Sequence, residues 1–257
     1  MKYRRIYAIP DIHGRLDLLD RALELMDDDG YDAKQDMLVF TGDVIDRGPD
    51  SKGVVDLIMA LMKENPDTVK MVRGNHDDFP IDLYVKMRPH AMDAWMHNGM
   101  WSTLKSYSQG EEGPFRVSDE HLMFLACQPY SLEVQGFFFS HAPVPREKAR
   151  LQFRGQPYSV NELTWSYFDI HGEFPGGLMD NHEGPRSNGG EGPDNLIGVC
   201  GHIHRGPSVK EIRVYPKYRM LDCGCGCFPS GRLAVHECIS NRTLYADPKD
   251  LDSHTSK

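Results

Sequence analysis

Eight residues of the 257-residue chain could act together on one substrate: Asp11 and His13, Asp43, Asn75 and His76, His141, and His202 and His204. All are oxygen or nitrogen donors, and each group follows an apolar run. Seven or eight such donors are too many for one ion. They suit two divalent ions about 3.5–4 Å apart that share one carboxylate, which clamps the attacking and leaving oxygens of phosphoryl transfer. No thiolate is among them, so the set favours Mn, Fe, Zn or Ni over a soft-metal site. Asn75 offers a neutral carbonyl, which holds the ligand charge down. The ions then stay cationic enough to polarise a phosphate and acidify a bridging water.

These donors need elements that deliver them to one place. Tyr3 to Ile9 reads as a buried strand, and Leu16, Leu19, Leu23 and Met26 follow at helical spacing. The unit repeats with a strand at Met37 to Phe40, a loop at Asp43 to Pro49, and a helical face at Val54, Val55, Ile58, Leu61 and Met62. A third strand, Thr68 to Val72, leads into Asn75 and His76. Three strands thus present polar clusters at their C-terminal ends, where ligands bind in α/β sheets. Ile81 to Tyr107 is helical in character, with Met92, Trp95, Met96 and Leu104 as apolar anchors and a break at Asn98 and Gly99. Glu133 to Ser140 reads as a hairpin turned at Gln135 and Gly136, delivering His141. Ile197 to Cys200 leads into His202 and His204, and four short strands follow around 212–215, 218–222, 232–236 and 243–246. Residues 172–194 hold seven glycines and three prolines, which predicts a loop: a solvated insertion, or a lid carrying His171 and His182. No repeat or linker divides the chain, so one domain over 1–257 is expected, with a helical insertion at about 80–130.

Composition narrows the partners. Apolar residues at 40% and charged residues at 26% fit a globular protein and exclude collagen-like and wholly disordered chains. Against 38 acidic residues stand 29 Lys plus Arg, a net charge of −9, so no general basic field attracts nucleic acid or an anionic membrane. A phosphorylated partner needs a local positive centre. No apolar stretch approaches the ~20 residues that span a bilayer. The basic start at Met1 to Arg5 is followed by an apolar run too short for a signal peptide. Six scattered cysteines read as reduced, cytoplasmic thiols. Cys223, Cys225 and Cys227 alternate as buried strand cysteines would, a closer spacing than zinc sites favour.

The ordered set Asp11-Ile12-His13-Gly14, Gly42-Asp43-Val44-Ile45-Asp46-Arg47-Gly48, Arg73-Gly74-Asn75-His76-Asp77, His141 and Gly201-His202 resembles the calcineurin-like metallophosphoesterase superfamily, specifically its phosphoprotein phosphatase branch. The likeness continues through Trp95 to Tyr107, similar to a helical element of bacterial and phage members, to Leu221 and Asp222. It implies a four-layer αββα sandwich of two mixed β-sheets flanked by helices. It implies two divalent ions, Mn²⁺ foremost, with Asp11 and His13 on the first, Asp43 bridging, and Asn75, His141 and His202 on the second. His204 would join the first ion where the last motif is His-x-His; its rival reading is a surface or substrate-facing histidine. His76 resembles the proton donor to the leaving oxygen, with Asp46 orienting its imidazole. Arg47 and Arg73 resemble the phosphate clamps. Each of these, taken singly, has a plain structural reading as a loop ion pair, a strand end or a satisfied histidine.

The reaction the resemblance implies is in-line attack on a phosphate ester by metal-bridging hydroxide, without a phospho-enzyme. Substrates are then phosphoserine or phosphothreonine in proteins, phosphotyrosine also, with a dinucleoside tetraphosphate cleaved symmetrically as the nucleotide alternative. A catalytically silent binding protein on the same fold is the remaining reading. Two departures stand out. Ala142-Pro143 follows His141 where the branch has Gly or Ala-Gly, which stiffens that turn. The branch's further phosphate-binding arginine has no secure counterpart near Trp165, with Arg146, Arg150, Arg154 and Arg186 as substitutes.

Overall fold

The computed structural model describes residues 2–108, 116–143, 160–165, 196–204 and 206–252. Two five-stranded mixed sheets make up its centre. The first has the order β10-β9-β1-β2-β3, from β1 (Ile6–Ile9), β2 (Met37–Phe40), β3 (Val69–Met71), β9 (Leu233–Glu237) and β10 (Arg242–Ala246). Strands β1, β2 and β3 are parallel, while β9 runs antiparallel to both β1 and β10. The second sheet has the order β4-β5-β6-β8-β7, from β4 (Ser131–Val134), β5 (Phe137–Ser140), β6 (Ile197–Cys200), β7 (Arg213–Tyr215) and β8 (Tyr218–Met220). Here β5, β6 and β8 are parallel, with antiparallel β4 and β7 at the edges.

Strands β1, β2 and β5 are buried on both faces because both faces are covered. Ile6 and Ala8 of β1, Met37 and Val39 of β2, and Phe137 and Phe139 of β5 share the core between the sheets with Val72, Val199 and Leu221. Tyr7, Ile9, Leu38 and Phe40 point the other way, into a core shared with the helices. Each fully buried side chain of this size contributes about 1.5–3 kcal/mol. On this helical side, α1 (Leu16–Asp28) buries Leu18, Leu19, Ala22 and Met26. Helix α2 (Ser51–Glu64) starts where the Asp50 side chain accepts from Gly53 N, and it buries Val54, Val55 and Ile58. Phe138 faces outward from the second sheet and packs with Leu163 of the short helix Val160–Thr164.

The segment after β3 is helical, as its composition suggests. It comprises α3 (Asn75–Pro80), a π-helical turn (Ile81–Val85), α4 (Ala91–His97), α5 (Met100–Ser108) and α6 (Asp119–Cys127). The break between α4 and α5 falls at Asn98 and Gly99, the latter at φ 104°. Trp95 and Leu104 are buried anchors, but Met92 and Met96 are 43% and 36% exposed, on the solvent side of α4.

The cysteine run also departs from expectation. Only isolated bridges from Cys223 and Gly224 to Arg232 remain of the strand, because Gly224 and Gly226 adopt φ of 78° and 70° and turn the chain. Cys223 and Cys225 are buried, whereas Cys227 is half-buried and reaches Arg47. The 172–194 loop, His171, His182, Arg146, Arg150, Arg154 and Arg186 lie outside the described residues.

Candidate active site

The parallel strands end on one edge, and the loops leaving them carry the chemistry. Asp11 and His13 follow β1, Asp43 to Arg47 follow β2, Asn75 and His76 open α3 after β3, and His141 and His202 follow β5 and β6. The backbone there is tightly specified. Ile12 N and His13 N both donate to Asp43 O, Gly14 N donates to Val44 O, and Gly48 N donates to His13 O. His13, Asp43, Asp46, Arg47 and His202 all take left-handed φ, between 48° and 72°. Such conformations cost about 1–3 kcal/mol each and cluster at functional sites. Gly74 is required by space: a Cβ there would lie 2.1 Å from Asp43 Oδ1.

Two groups of donors converge, His13 with Asp43 and His76, and Asp43 with His141 and His202, each within 4.8 Å. His141 Nε2 lies 2.8 Å from Asn75 Oδ1, 3.1 Å from His202 Nδ1 and 3.2 Å from Asp43 Oδ2. His13 Nδ1 and His141 Nδ1 each face a backbone carbonyl at 2.9 Å, Ile45 O and Thr41 O. With Nδ1–H donated there, both Nε2 atoms point inward, the orientation of a metal-ligating histidine. Asp11 is held by His202 N at 2.9 and 3.1 Å.

The electrostatics fit the same use. Burial and the neighbouring Asp222 push Asp11 well above the usual carboxylate range, and burial likewise raises Asp222. Burial opposes ionisation of Asp43, but His141 and His76 hold it well below that range. Burial opposes the charge on His141 too, yet Asp43 and Asp11 push it up to about 10. Burial, then His76 and Arg47, lowers His13. Buried carboxylates that repel one another are what divalent cations would neutralise, and the imidazoles facing them turn Nε2 inward as ligands would. His204 is in neither group. Its ring meets Phe228 edge-on at 5.0 Å, and its buried Nδ1 has no hydrogen-bond partner among the described residues.

Beside this cluster, His76 Nδ1 lies 2.7 Å from Asp46 Oδ2. The His76 backbone N–H donates to Asp43 Oδ1 at 2.9 Å, which ties it to the donor cluster. Arg47 Nη2 lies 3.1 Å from His76 Nε2, and Arg47 Nη1 lies 2.7 Å from His13 Nε2 and also donates to Cys227 Sγ.

Arg73 does not share this position, contrary to its expected role as a phosphate clamp. Its Nη1 donates to Asp78 Oδ1 (3.1 Å) and Tyr130 OH (2.9 Å), and its Nη2 to the carbonyls of Ala126 (2.6 Å) and Gln128 (2.8 Å). The guanidinium also lies 4.4 Å above the Tyr130 ring. With its Nη donors committed and only 7% of the residue exposed, it fastens α3 to α6 instead.

Several contributors escape a reading by spacing. Asp77 accepts from Asp43 N, Val44 N and Gly74 N at 2.8–3.0 Å and so fixes the loop that presents Asp43. Trp95, read as an apolar anchor, donates its indole N–H to Asp46. Thr103, Ser51 and Asp222 are buried around the same loops. Asp77, Trp95, Thr103 and Asp222 lie within stretches that carry the family likeness, which signals their place but not these contacts, and Ser51 had no signal.

Residues 4–206 match the family model for calcineurin-like phosphoesterase. Serine/threonine-protein phosphatase 1 of Salmonella typhimurium is 30% identical over 176 residues, 64% of this chain and 69% of that protein. Serine/threonine-protein phosphatase 2 of Escherichia coli is 34% identical over 183 residues, 69% of this chain and 74% of that one. A symmetrical bis(5'-nucleosyl)-tetraphosphatase of Buchnera aphidicola is 40% identical over 92 residues, 36% of this chain and 31% of its own length. The crystal structure of a cold-active protein-tyrosine phosphatase from a psychrophilic Shewanella covers 95% of this chain, with 77% of its own length matched, at a TM-score of 0.53 and 18% identity, a likeness of fold. A matched family model over most of the chain and a strand-edge cluster of Asp, Asn and His donors lead to one assignment: the chain belongs to the calcineurin-like phosphoesterase family, whose centre is dinuclear, and is a metal-dependent phosphoric ester hydrolase.

Proposed function

We propose that the chain is a phosphomonoesterase, acting as one cytoplasmic domain on phosphoserine and phosphothreonine in proteins and also accepting phosphotyrosine. The observation that carries this reading is the buried His76–Asp46 pair at 2.7 Å beside the donor cluster. A serine or threonine alkoxide is a poor leaving group and needs a proton as it departs, whereas ADP leaves as a stabilised phosphate anion. A dedicated proton donor is therefore of most use to a monoesterase. The long matches to the two protein phosphatases support the same substrate class. All six cysteines are free, as a reducing compartment requires.

In this reading Asp11, His13, Asp43, Asn75, His141, His202 and His204 hold two divalent cations, Mn²⁺ foremost with Fe, Zn or Ni as alternatives. Bound there, they supply Lewis acidity toward phosphate oxygens and water. The protein's own residues do the rest. Arg47 turns from His13 toward the phosphate and binds it through its planar donors. His76 delivers a proton from Nε2 to the leaving oxygen, while Asp46 holds Nδ1 and fixes the ring. The loops from β1, β2 and β3 keep the donors in register during the displacement.

The match to the Buchnera tetraphosphatase favours a second reading, symmetrical cleavage of a dinucleoside tetraphosphate. Metal-free protein reloaded with Mn²⁺, assayed on phosphoserine, phosphothreonine and phosphotyrosine peptides beside diadenosine tetraphosphate, separates the two. Peptide turnover that disappears in Asp43→Ala is the expected result. Turnover of the tetraphosphate alone would move the substrate to the nucleotide class.

A further inference from the structure

Asp46 is fully buried, yet its carboxylate is surrounded by side chains from three separate elements. His76 Nδ1, from α3, faces Oδ2 at 2.7 Å. Trp95 Nε1, from α4, donates at 2.8 Å to Oδ1 and lies 3.0 Å from Oδ2. Thr103 Oγ1, from α5, donates to Oδ1 at 2.6 Å. The same hydroxyl accepts from the backbone N–H of Asp46 at 2.9 Å, so it grips the residue at both ends. Thr103 has one proton, already given to Oδ1. The 2.9 Å contact between Ser51 Oγ and Thr103 Oγ1 therefore has Ser51 as its donor. Ser51 Oγ in turn accepts from Asp46 N at 3.0 Å, closing a ring of hydrogen bonds around one left-handed residue.

This ring has no evident use as mere stabilisation. A buried carboxylate can be replaced by an apolar side chain at little cost once its partners are replaced with it. What the ring secures is direction. The Trp95 indole is fully buried and spends its one donor on Asp46. Oδ1 is taken by Trp95 and Thr103 from the helical side, and Oδ2 is turned to His76. The α4–α5 turn also packs on the next residue: a Cβ at Gly99 would lie 2.7 Å from Arg47 N, and Ser102 Oγ donates to Arg47 O at 3.1 Å.

We propose that Trp95 and Thr103 are positioning residues for proton delivery to the leaving group, acting through Asp46 on His76. The helical pair α4–α5 is then a working part of the leaving-group side of the site. The inference rests on His76 being the proton donor and extends that reading to residues that touch neither substrate nor ion.

The test compares two substrates of similar size on the Mn²⁺-loaded enzyme. Nitrophenolate leaves p-nitrophenyl phosphate with little help, whereas phenolate leaves phenyl phosphate less readily and gains more from a proton. Trp95→Phe and Thr103→Val are each expected to lower kcat for phenyl phosphate by about tenfold more than for p-nitrophenyl phosphate, a part of the ~10²–10⁴-fold that general acid catalysis supplies. KM for both substrates should stay put, and Thr103→Ser should recover the ratio. The two sites are chemically unlike, so a folding defect in one variant leaves the other to decide. In addition, the Trp95 indole N–H should exchange slowly with solvent in the wild type and faster in Thr103→Val. Equal losses on both substrates in the Trp95 and Thr103 variants, with a selective loss in His76→Ala, would overturn the inference and leave His76 in its role. Equal losses in His76→Ala itself would remove the proton-donor reading and this inference together.

Discussion

Two arginines that look alike in the sequence do opposite things in the fold. Arg47 is partly exposed on the edge of the donor cluster, and its guanidinium lies between His13 and His76. Arg73 is buried, with its Nη donors taken by Asp78, Tyr130 and two carbonyls. Arg47→Ala should therefore lower kcat/KM by about 100-fold, as loss of a donor to developing charge does, with little change in Tm. Arg73→Ala should destabilise the protein by about 3 kcal/mol, since it removes the guanidinium from Asp78 and leaves the carbonyls of Ala126 and Gln128 without their donor. Arg73→Lys should not restore that loss, because an ammonium cannot reach four acceptors in a plane. Denaturant unfolding beside steady-state kinetics distinguishes the two. A stable but inactive Arg73→Ala enzyme would return that residue to the phosphate. The motif placed both arginines correctly along the chain. Direction was the part it lacked, because three of the partners that turn Arg73 away lie 53 to 57 residues downstream, in and after α6.

At the scale of elements, most of the first half was legible because each strand is an unbroken apolar run that ends at a polar cluster. Strands β2 and β6 have the expected limits, and the hairpin turns at Gln135 and Gly136. Helices were harder where one face meets solvent: Met92 and Met96 match the period of Trp95 but sit on its outer side. Strand β9 illustrates a further limit. It lies between β10 and β1, and His236 on it is fully buried, with Nδ1 2.9 Å from Thr243 Oγ1 and Nε2 without a partner among the described residues. Periodicity admits a histidine there without revealing the consequence. Burial, reinforced by Arg219, lowers it to about 4. The unfolded chain binds a proton near pH 6.5 and the folded one does not until about 4, so stability falls as pH drops through that window. The contribution lost by pH 4 is about 3 kcal/mol. In His236→Gln the fall in unfolding free energy between pH 6.5 and 4 should be smaller by that amount, measured by urea titration at each pH. Parallel curves for the two proteins would show that His236 is protonated in the native state.

The molecule as a whole is two sheets joined by an apolar layer, and its site lies where that layer meets solvent at one edge. Asp11, His13, Asp43 and Asn75 belong to loops of the first sheet, His141 and His202 to loops of the second. Any ion shared by these donors therefore links the sheets, at the place where Asp11 and Asp222 otherwise repel across a buried gap. Binding that is specific to the folded state stabilises it by mass action, about 2.7 kcal/mol at a free ion concentration 100-fold above Kd. For a chain of this size that corresponds to roughly 5–10 °C in Tm. Chelation should lower Tm by that amount and re-addition of Mn²⁺ restore it. Arg47→Ala, which keeps every donor, should respond like the wild type, whereas Asp43→Ala should not respond at all, since Asp43 belongs to both donor groups. Hydrogen exchange should locate the change: amides of 11–14, 43–48 and 201–204 lose protection on chelation, while those of β1, β2 and β5 keep it, because the apolar layer between the sheets does not depend on the ions. If chelation instead lowers protection across both sheets together, the ions are part of the core's stability and not only of its edge. If Tm is unchanged by chelation, the donors do not hold an ion across the two sheets.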